Sequence, residues 1–226
     1  MKEVVRQCSL VVRKELLHLW RGKARLVATG AFAFANLVVF SFAGGLHGEA
    51  MRTNAAGFLW VGILLASTLA LGESFRVEVQ NQALEAMVLL PVHPAAIFYG
   101  KAIGNFVLLS LVGAVMVPCS IVLFDAVPVG GLGRLFLTIP FGAAAISAPG
   151  TMHAALSCRA RSRDVLLPLL LFPLVVPGLV AAVQATQLCF LGDAMGEYGS
   201  WLTVLAAYCV VQWGLGGLLF SHIVEE

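Results

Sequence analysis

Six long apolar runs constrain this chain more than any other feature of its sequence. A membrane-spanning helix needs about 20 mainly apolar residues to cross a hydrocarbon core of about 30 Å. The runs are Leu26–Leu46, Ala55–Gly72, Ala102–Phe124, Leu135–Leu156, Val165–Leu188 and Ser200–Phe220. The chain is 60% hydrophobic and 12% charged, which is unlike a soluble domain. The sequence therefore predicts one all-α, polytopic membrane domain over residues 1–226.

The basic residues are divided unevenly between the two sides of the predicted membrane domain. Of the 14 lysines and arginines, only Arg52 and Arg134 fall on the side opposite both termini. Cytoplasmic loops carry the excess of basic residues in membrane proteins. Both termini are therefore predicted in the cytoplasm, and no basic patch points to nucleic acid.

The first 25 residues precede the first apolar run and have helical periodicity. One face carries Val5, Cys8, Val12, Leu16 and Leu19, and the other carries Lys2, Arg6, Ser9 and Arg13. This pattern predicts an amphipathic helix at the membrane surface, residues 1–25. A cleaved signal peptide is the alternative, but a charged region of about 25 residues is too long for one.

The longest charged interruption between the runs extends from Glu73 to Lys101. Charged side chains in it, such as Arg76 and Glu85, would each cost about 3 kcal/mol at the bilayer centre. Helical spacing gathers the polar residues Glu78, Asn81, Gln82 and Glu85 on one face, opposite Phe75, Val79, Ala83, Ala86, Met87 and Leu90. The segment is therefore predicted to be an amphipathic cytoplasmic helix over residues 74–90 that touches a partner. A solvated cytosolic loop that happens to be helical is the alternative.

The ends of this cytoplasmic helix are predicted from its capping and breaking residues. Ser74 can cap the first turn. Pro91 and Pro94 would stop the helix, because proline lacks the amide and disfavours helix in the residue before it.

Prolines and small residues mark the fourth and fifth apolar runs. The prolines are Pro140, Pro149, Pro168, Pro173 and Pro177. Prolines within spans predict kinked helices whose freed carbonyls are satisfied by neighbouring helices. Gly142, Ala143, Ala144, Ala145, Ser147, Ala148 and Gly150 would let another helix approach closely, in this chain or in a second copy.

No reactive motif is found. The Gly-Lys pairs at Gly22 and Gly100 lack the other residues of a Walker A loop, so the chain is not predicted to hydrolyse ATP. We predict no catalytic, cofactor-binding or metal-ligating residue. The six runs contain no Asp, Glu, Lys or Arg, which argues against a carboxylate proton relay.

Several polar residues nevertheless fall within or beside the apolar runs. His153 could be functional, but a neutral ring bonded to a backbone carbonyl freed near Pro149 is favoured. For Asn36 and Asn105, hydrogen bonds between helices are the favoured role. His47 lies at the outer edge of the first run and is predicted to be solvated.

The order of elements, with both ends inside, resembles the ABC-2 type permeases of ATP-binding cassette transporters. Within them, the chain is similar to the CcmB family, the haem exporter B proteins of cytochrome c maturation. The resemblance rests on Leu84, Glu85 and Leu89-Leu90-Pro91, on Ala148-Pro149-Gly150, and on VLLPLLLFPLVVP over residues 165–177.

The resemblance implies a subunit of the bacterial inner membrane that works with partners. These would be the ATPase CcmA, which holds ATP and Mg, together with CcmC, the small CcmD and the haem chaperone CcmE, with two copies of this chain per complex. The residues expected to bind the ATPase are Phe75, Arg76, Glu78, Gln80, Asn81, Gln82 and Glu85. Haem would be handled by the complex. Export of a lipid-linked glycan or a drug, or a role as a structural anchor, are the alternatives.

Overall fold

The computed structural model describes residues 2–43, 48–80, 93–158 and 163–225. All regular secondary structure in these ranges is helical. The helices are α1 (Lys2–Arg21), α2 (Lys23–Ala43), α3 (Gly48–Gln80), α4 (Pro94–Phe124), α5 (Leu132–Cys158), α6 (Arg163–Leu191) and α7 (Tyr198–Glu225). Six of them, α2 to α7, are long and apolar enough to cross a membrane. The predicted all-α, six-span class is confirmed.

Most helices begin before the apolar runs that predicted them, because a helix can continue into the polar edge of the membrane. The clearest case is α4, which starts at Pro94 and not near Ala102. His93 caps it, since its Nδ1 accepts a hydrogen bond from the Ala95 amide at 3.3 Å. Pro94 is well suited to the first helical position, where its missing amide is not needed.

The predicted break at Ser74 is absent, because α3 runs without interruption from Gly48 to Gln80. Ser74 is buried inside this helix and does not cap one. The residues that follow it, Phe75 to Gln80, include neither proline nor glycine, so nothing in them ends the helix. The remainder of the predicted cytoplasmic helix, from Asn81 onward, lies outside the described residues.

The small residues of α5 allow neighbouring helices of the same chain to approach closely. A Cβ atom on Gly142 would overlap the Trp60 ring of α3, and one on Gly150 would overlap Leu71 of the same helix. Trp60 is fully buried, and its Nε1 donates to Thr186 Oγ1 of α6 at 2.8 Å. Gly150 therefore lies close to a neighbouring helix of this same chain.

The helices α5 and α6 continue through their prolines, and α4 continues through Pro118. Three side chains of α7 bond carbonyls in α5 and α6. Tyr208 OH donates to Leu174 O at 2.9 Å, Cys209 Sγ to Phe141 O at 3.3 Å and Trp213 Nε1 to Ala144 O at 3.1 Å. None of these three carbonyls lies four residues before a proline, where proline removes the helical hydrogen bond. These bonds therefore hold α7 against α5 and α6, and they are not made by carbonyls that the prolines free. Kinks at Pro149, Pro168, Pro173 and Pro177 stay a prediction.

At the end of the bundle opposite α1, an acidic side chain joins α5 to the start of α7. Asp193 Oδ2 accepts from Arg134 Nη1 at 3.0 Å, and its Oδ1 accepts from the Glu197 amide at 2.8 Å. Arg134 also lies over the Tyr198 ring, 5.0 Å from the centroid. Asp193 is therefore both an ion-pair partner and a cap for the first turn of α7.

We expect Asp193→Ala to lower the free energy of unfolding by about 1–2 kcal/mol, since it removes the cap and the ion pair together. Asp193→Asn should retain most of the stability, because an amide oxygen still accepts from the Glu197 N–H. Thermal unfolding of the detergent-purified chain measures both. Equal losses in the two variants would contradict a capping role.

Candidate functional site

A lysine is buried where α1, α3 and α4 meet. Lys101 of α4 is only 1% exposed. Its Nζ donates to Glu15 Oε1 of α1 at 3.2 Å and to the Ser74 carbonyl of α3 at 3.0 Å. It also lies 4.6 Å from the centroid of the Phe75 ring. One side chain thus joins three helices, and we call Glu15, Ser74, Phe75 and Lys101 the lysine junction.

The geometry of the junction depends on two glycines of α4 that flank Lys101. A Cβ on Gly100 would overlap the Val11 side chain, and one on Gly104 would lie 2.8 Å from Glu15 Cβ. Because neither glycine has a side chain, α1 can lie directly on α4. This close approach brings the Glu15 carboxylate within reach of Lys101.

A second polar chain lies beside the junction and links α2, α3, α4 and α5. Arg25 Nη2 donates to Asn105 Oδ1 at 2.6 Å and to the Ala70 carbonyl at 2.8 Å. Asn105 Nδ2 in turn donates to Thr151 Oγ1 at 2.9 Å. Asn105 and Thr151 are both buried. The predicted interhelical role of Asn105 is confirmed.

These polar groups add to one expectation from the sequence, and Asn36 corrects another. The apolar runs contain no charged residue, but Arg25 and Lys101 lie one residue before the first and third runs and belong to the same helices. Within the described parts of the chain, Asn36 bonds only inside its own helix, where its Nδ2 donates to Phe32 O at 2.7 Å. Its predicted role between helices is therefore wrong.

A cavity of about 480 Å³ opens between α1, α2 and α3. Charged and polar residues on its walls are Lys14, Glu15, His18, Arg25, Thr29, Glu73 and Ser74. The cavity exists because α1 packs on α4 and makes few contacts with α2. The hydroxyls of Thr29 and Ser74 are buried without a hydrogen-bond partner among the described residues. Glu15 and Ser74 of the lysine junction therefore lie on one side of this cavity, whose other walls include apolar residues such as Leu19 and Leu69.

On the side of α1 away from this cavity, an apolar groove lies between α1 and α4. Val5, Val12 and Leu16 line it together with Tyr99 and Ile103. Cys8 also lies in the groove, and burial raises the pKa of its thiol. Most of the apolar face predicted for residues 1–25 thus lines this groove, and Ser9 and Arg13 of the predicted polar face also border it.

The predicted ATPase-binding residues lie at the edge of the described structure. Phe75 is 1% exposed and faces Lys101, a placement that differs from the predicted partner-facing one. Arg76, Glu78 and Gln80 belong to the last turns of α3. The others, Asn81, Gln82 and Glu85, lie outside the described residues. Contact with an ATPase stays a prediction for this set.

His153 takes the structural role that was favoured for it. The ring is buried in α5, and its Nδ1 lies 2.7 Å from the Pro149 carbonyl. His47, the other histidine considered, is outside the described residues.

The lysine junction could have been suspected from one signal in the sequence. Gly100 and Gly104 have the spacing of a G-x-x-x-G packing motif, which brings helices close together in membranes. Lys101 lies next to the first of these glycines, so its stem starts at a helix contact. Its partner could not be identified, because several carboxylates are predicted on the same side of the membrane.

Comparison with known proteins identifies the chain's relatives. A protein-family model described as "CcmB protein" matches residues 6–225. The chain is 29% identical over 200 residues to "Heme exporter protein B" of Pseudomonas aeruginosa, covering 88% of this chain and 89% of the relative. It is 31% identical over 157 residues to the Rhodobacter capsulatus protein of the same name, covering 70% and 72%. With the Bradyrhizobium diazoefficiens protein of that name, identity is 25% over 209 residues, covering 92% of each. The chain belongs to the CcmB family.

Proposed function

We propose that this chain is the membrane permease subunit of an ABC transporter complex that serves cytochrome c maturation. The observation that carries the proposal is the family match over residues 6–225, supported by relatives named heme exporter protein B. Six helices long enough to span a membrane are consistent with a permease. The chain would transmit the work of ATP hydrolysis to haem export or to the release of a haem-loaded chaperone.

In this proposal, ATP and Mg bind to a partner and not to this chain. The partner ATPase is CcmA, and CcmC, CcmD and the chaperone CcmE complete the complex, with two copies of this chain. The ATPase would dock beneath residues 74–90 on the cytoplasmic side of the bacterial inner membrane. Continuity of α3 supports this, because the helix extends from a buried span into the first residues of that segment, as far as Gln80.

Export of a lipid-linked glycan or a drug is a weaker candidate. The relatives that cover most of the chain are named for heme. No observation on the described residues favours a glycan or a drug over haem. Membership of the CcmB family therefore favours haem as the substrate.

Reversing a charge in the proposed docking segment tests the proposal. We expect Glu85→Lys to reduce co-purification of the ATPase about tenfold, because like charges across an interface cost enough to suppress binding. The yield of haem-stained c-type cytochromes should fall with it. Both are measured in cells that express the full set of subunits.

Glu49→Lys is the matched control. Glu49 is exposed at the opposite end of α3, so the same charge change there should leave ATPase binding unchanged. If Glu85→Lys retained the ATPase and the normal cytochrome yield, docking through residues 74–90 would be refuted.

A further inference from the structure

We propose that Lys101 is a positioning residue that makes α1, α4 and the cytoplasmic end of α3 move as one unit. The inference rests on the proposed function, since it concerns how motion of α3 reaches the bundle. Its basis is the set of three contacts made by one Nζ atom: with Glu15, with the Ser74 carbonyl and with the Phe75 ring. The contact with Glu15 leads to α1, and the other two lead to the same end of α3.

The position of the junction along α3 is what gives it a mechanical role. Ser74 and Phe75 lie between the buried span and the last turns of α3, which end at Gln80. A force applied to the segment beyond Gln80 reaches Ser74 before it reaches the span. Because Lys101 is hydrogen-bonded to the Ser74 carbonyl, a displacement of this part of α3 also moves α4. The Lys101–Glu15 ion pair then moves α1 with it.

Stability alone does not account for a buried ion pair at this place. Removing two charges from water costs several kcal/mol per ion, and well-packed apolar residues of similar volume are often as stable or more so. A Lys–Glu pair fixes the relative position of two helices, because its atoms must face each other to bond. The bond to the Ser74 carbonyl fixes α3 to the same lysine, and an apolar side chain would not make that bond.

The contacts of Glu15 supply a matched control. Lys14 Nζ lies 3.7 Å from the same Glu15 Oε1, but it is 37% exposed and on the same helix as Glu15. An exposed pair within one helix contributes little. Lys14→Met thus removes a lysine near the same carboxylate while leaving the Lys101 contacts in place.

The main test is the double variant Glu15→Met with Lys101→Met, since Lys101→Met alone leaves a buried carboxylate and could fail to fold. Two methionines of similar length should keep the chain folded against the glycines of α4. We expect normal protein level, normal ATPase co-purification and ATP hydrolysis within about twofold of wild type. The c-type cytochrome yield per ATP should fall about tenfold, within the range typical of coupling between sites. Lys14→Met should equal wild type in every measurement.

A charge exchange, Glu15→Lys with Lys101→Glu, tests the contact with α3 separately. The exchange restores an ion pair between α1 and α4, but a carboxylate at position 101 cannot donate to the Ser74 carbonyl. The cytochrome yield per ATP should therefore stay low. A wild-type yield from either double variant would overturn the inference, because it would mean that Lys101 only stabilises the fold. Loss of ATPase binding by the wild-type chain would instead refute the proposed function.

Discussion

Replacing Gly142 by valine should prevent α5 from packing against α3. Even a Cβ atom at this position would overlap the Trp60 ring. The ring cannot easily move, because it is fully buried and its Nε1 is bonded to Thr186. Overpacking usually costs about 1–3 kcal/mol and occasionally more. We expect a loss of stability at the upper end of this range or beyond it, because the side chain of valine can be accommodated only if α5 moves away from α3.

The expected result is a strong loss of folded protein in detergent extracts, measured by size-exclusion chromatography and thermal unfolding. Gly57→Val is the control, because Gly57 lies in α3 one turn before Trp60 and a Cβ there meets no atom within 4 Å. It should be close to wild type. A Gly142→Val chain with normal yield and melting temperature would contradict the close contact between α3 and α5.

Replacing Asn105 by leucine should have the second largest effect. Its side chain accepts from Arg25 and donates to Thr151 inside the bundle. Leucine fills a similar volume, but it removes the oxygen that accepts a hydrogen bond from the Arg25 guanidinium in the native fold. Hydrogen bonds to charged groups contribute about 1.5–3 kcal/mol. The bond from Asn105 to Thr151 is lost as well, whereas Arg25 keeps its bond to the Ala70 carbonyl. We expect a loss of about 3 kcal/mol, or roughly 10 °C in melting temperature for a chain of this size.

Asn36→Leu is the matched control, because the same substitution there removes only a bond to the Phe32 carbonyl within one helix. Asn36 is only half-buried on α2, so leucine should be neutral or slightly stabilising in lipid. Thermal unfolding of the two variants in the same detergent measures the difference. Equal melting temperatures would show that the Arg25–Asn105 contact does not hold the spans together.

Sequence predictions were correct where they depended on interactions between residues close together in the chain, and wrong where they depended on contacts between helices or on burial. The six spans and the bond between His153 and the Pro149 carbonyl were predicted correctly, because both depend on residues within a few turns. The cap at Ser74 was predicted wrongly, since capping chemistry was assigned to a serine that the helix buries. The role of Asn36 was wrong for a related reason: residue type indicates that a bond forms, but not with which helix.

The sequence by itself determined that the chain is a bundle of six apolar helices, because bilayer thickness and hydropathy act on each stretch of chain separately. It also identified the family. Only the tertiary structure decided that Lys101 binds Glu15, a residue 86 positions away, and that Gly142 lies against Trp60. Those pairings depend on how the helices pack against one another. At each contact, the neighbour is determined by a glycine that allows close approach or by a buried charge that needs a partner.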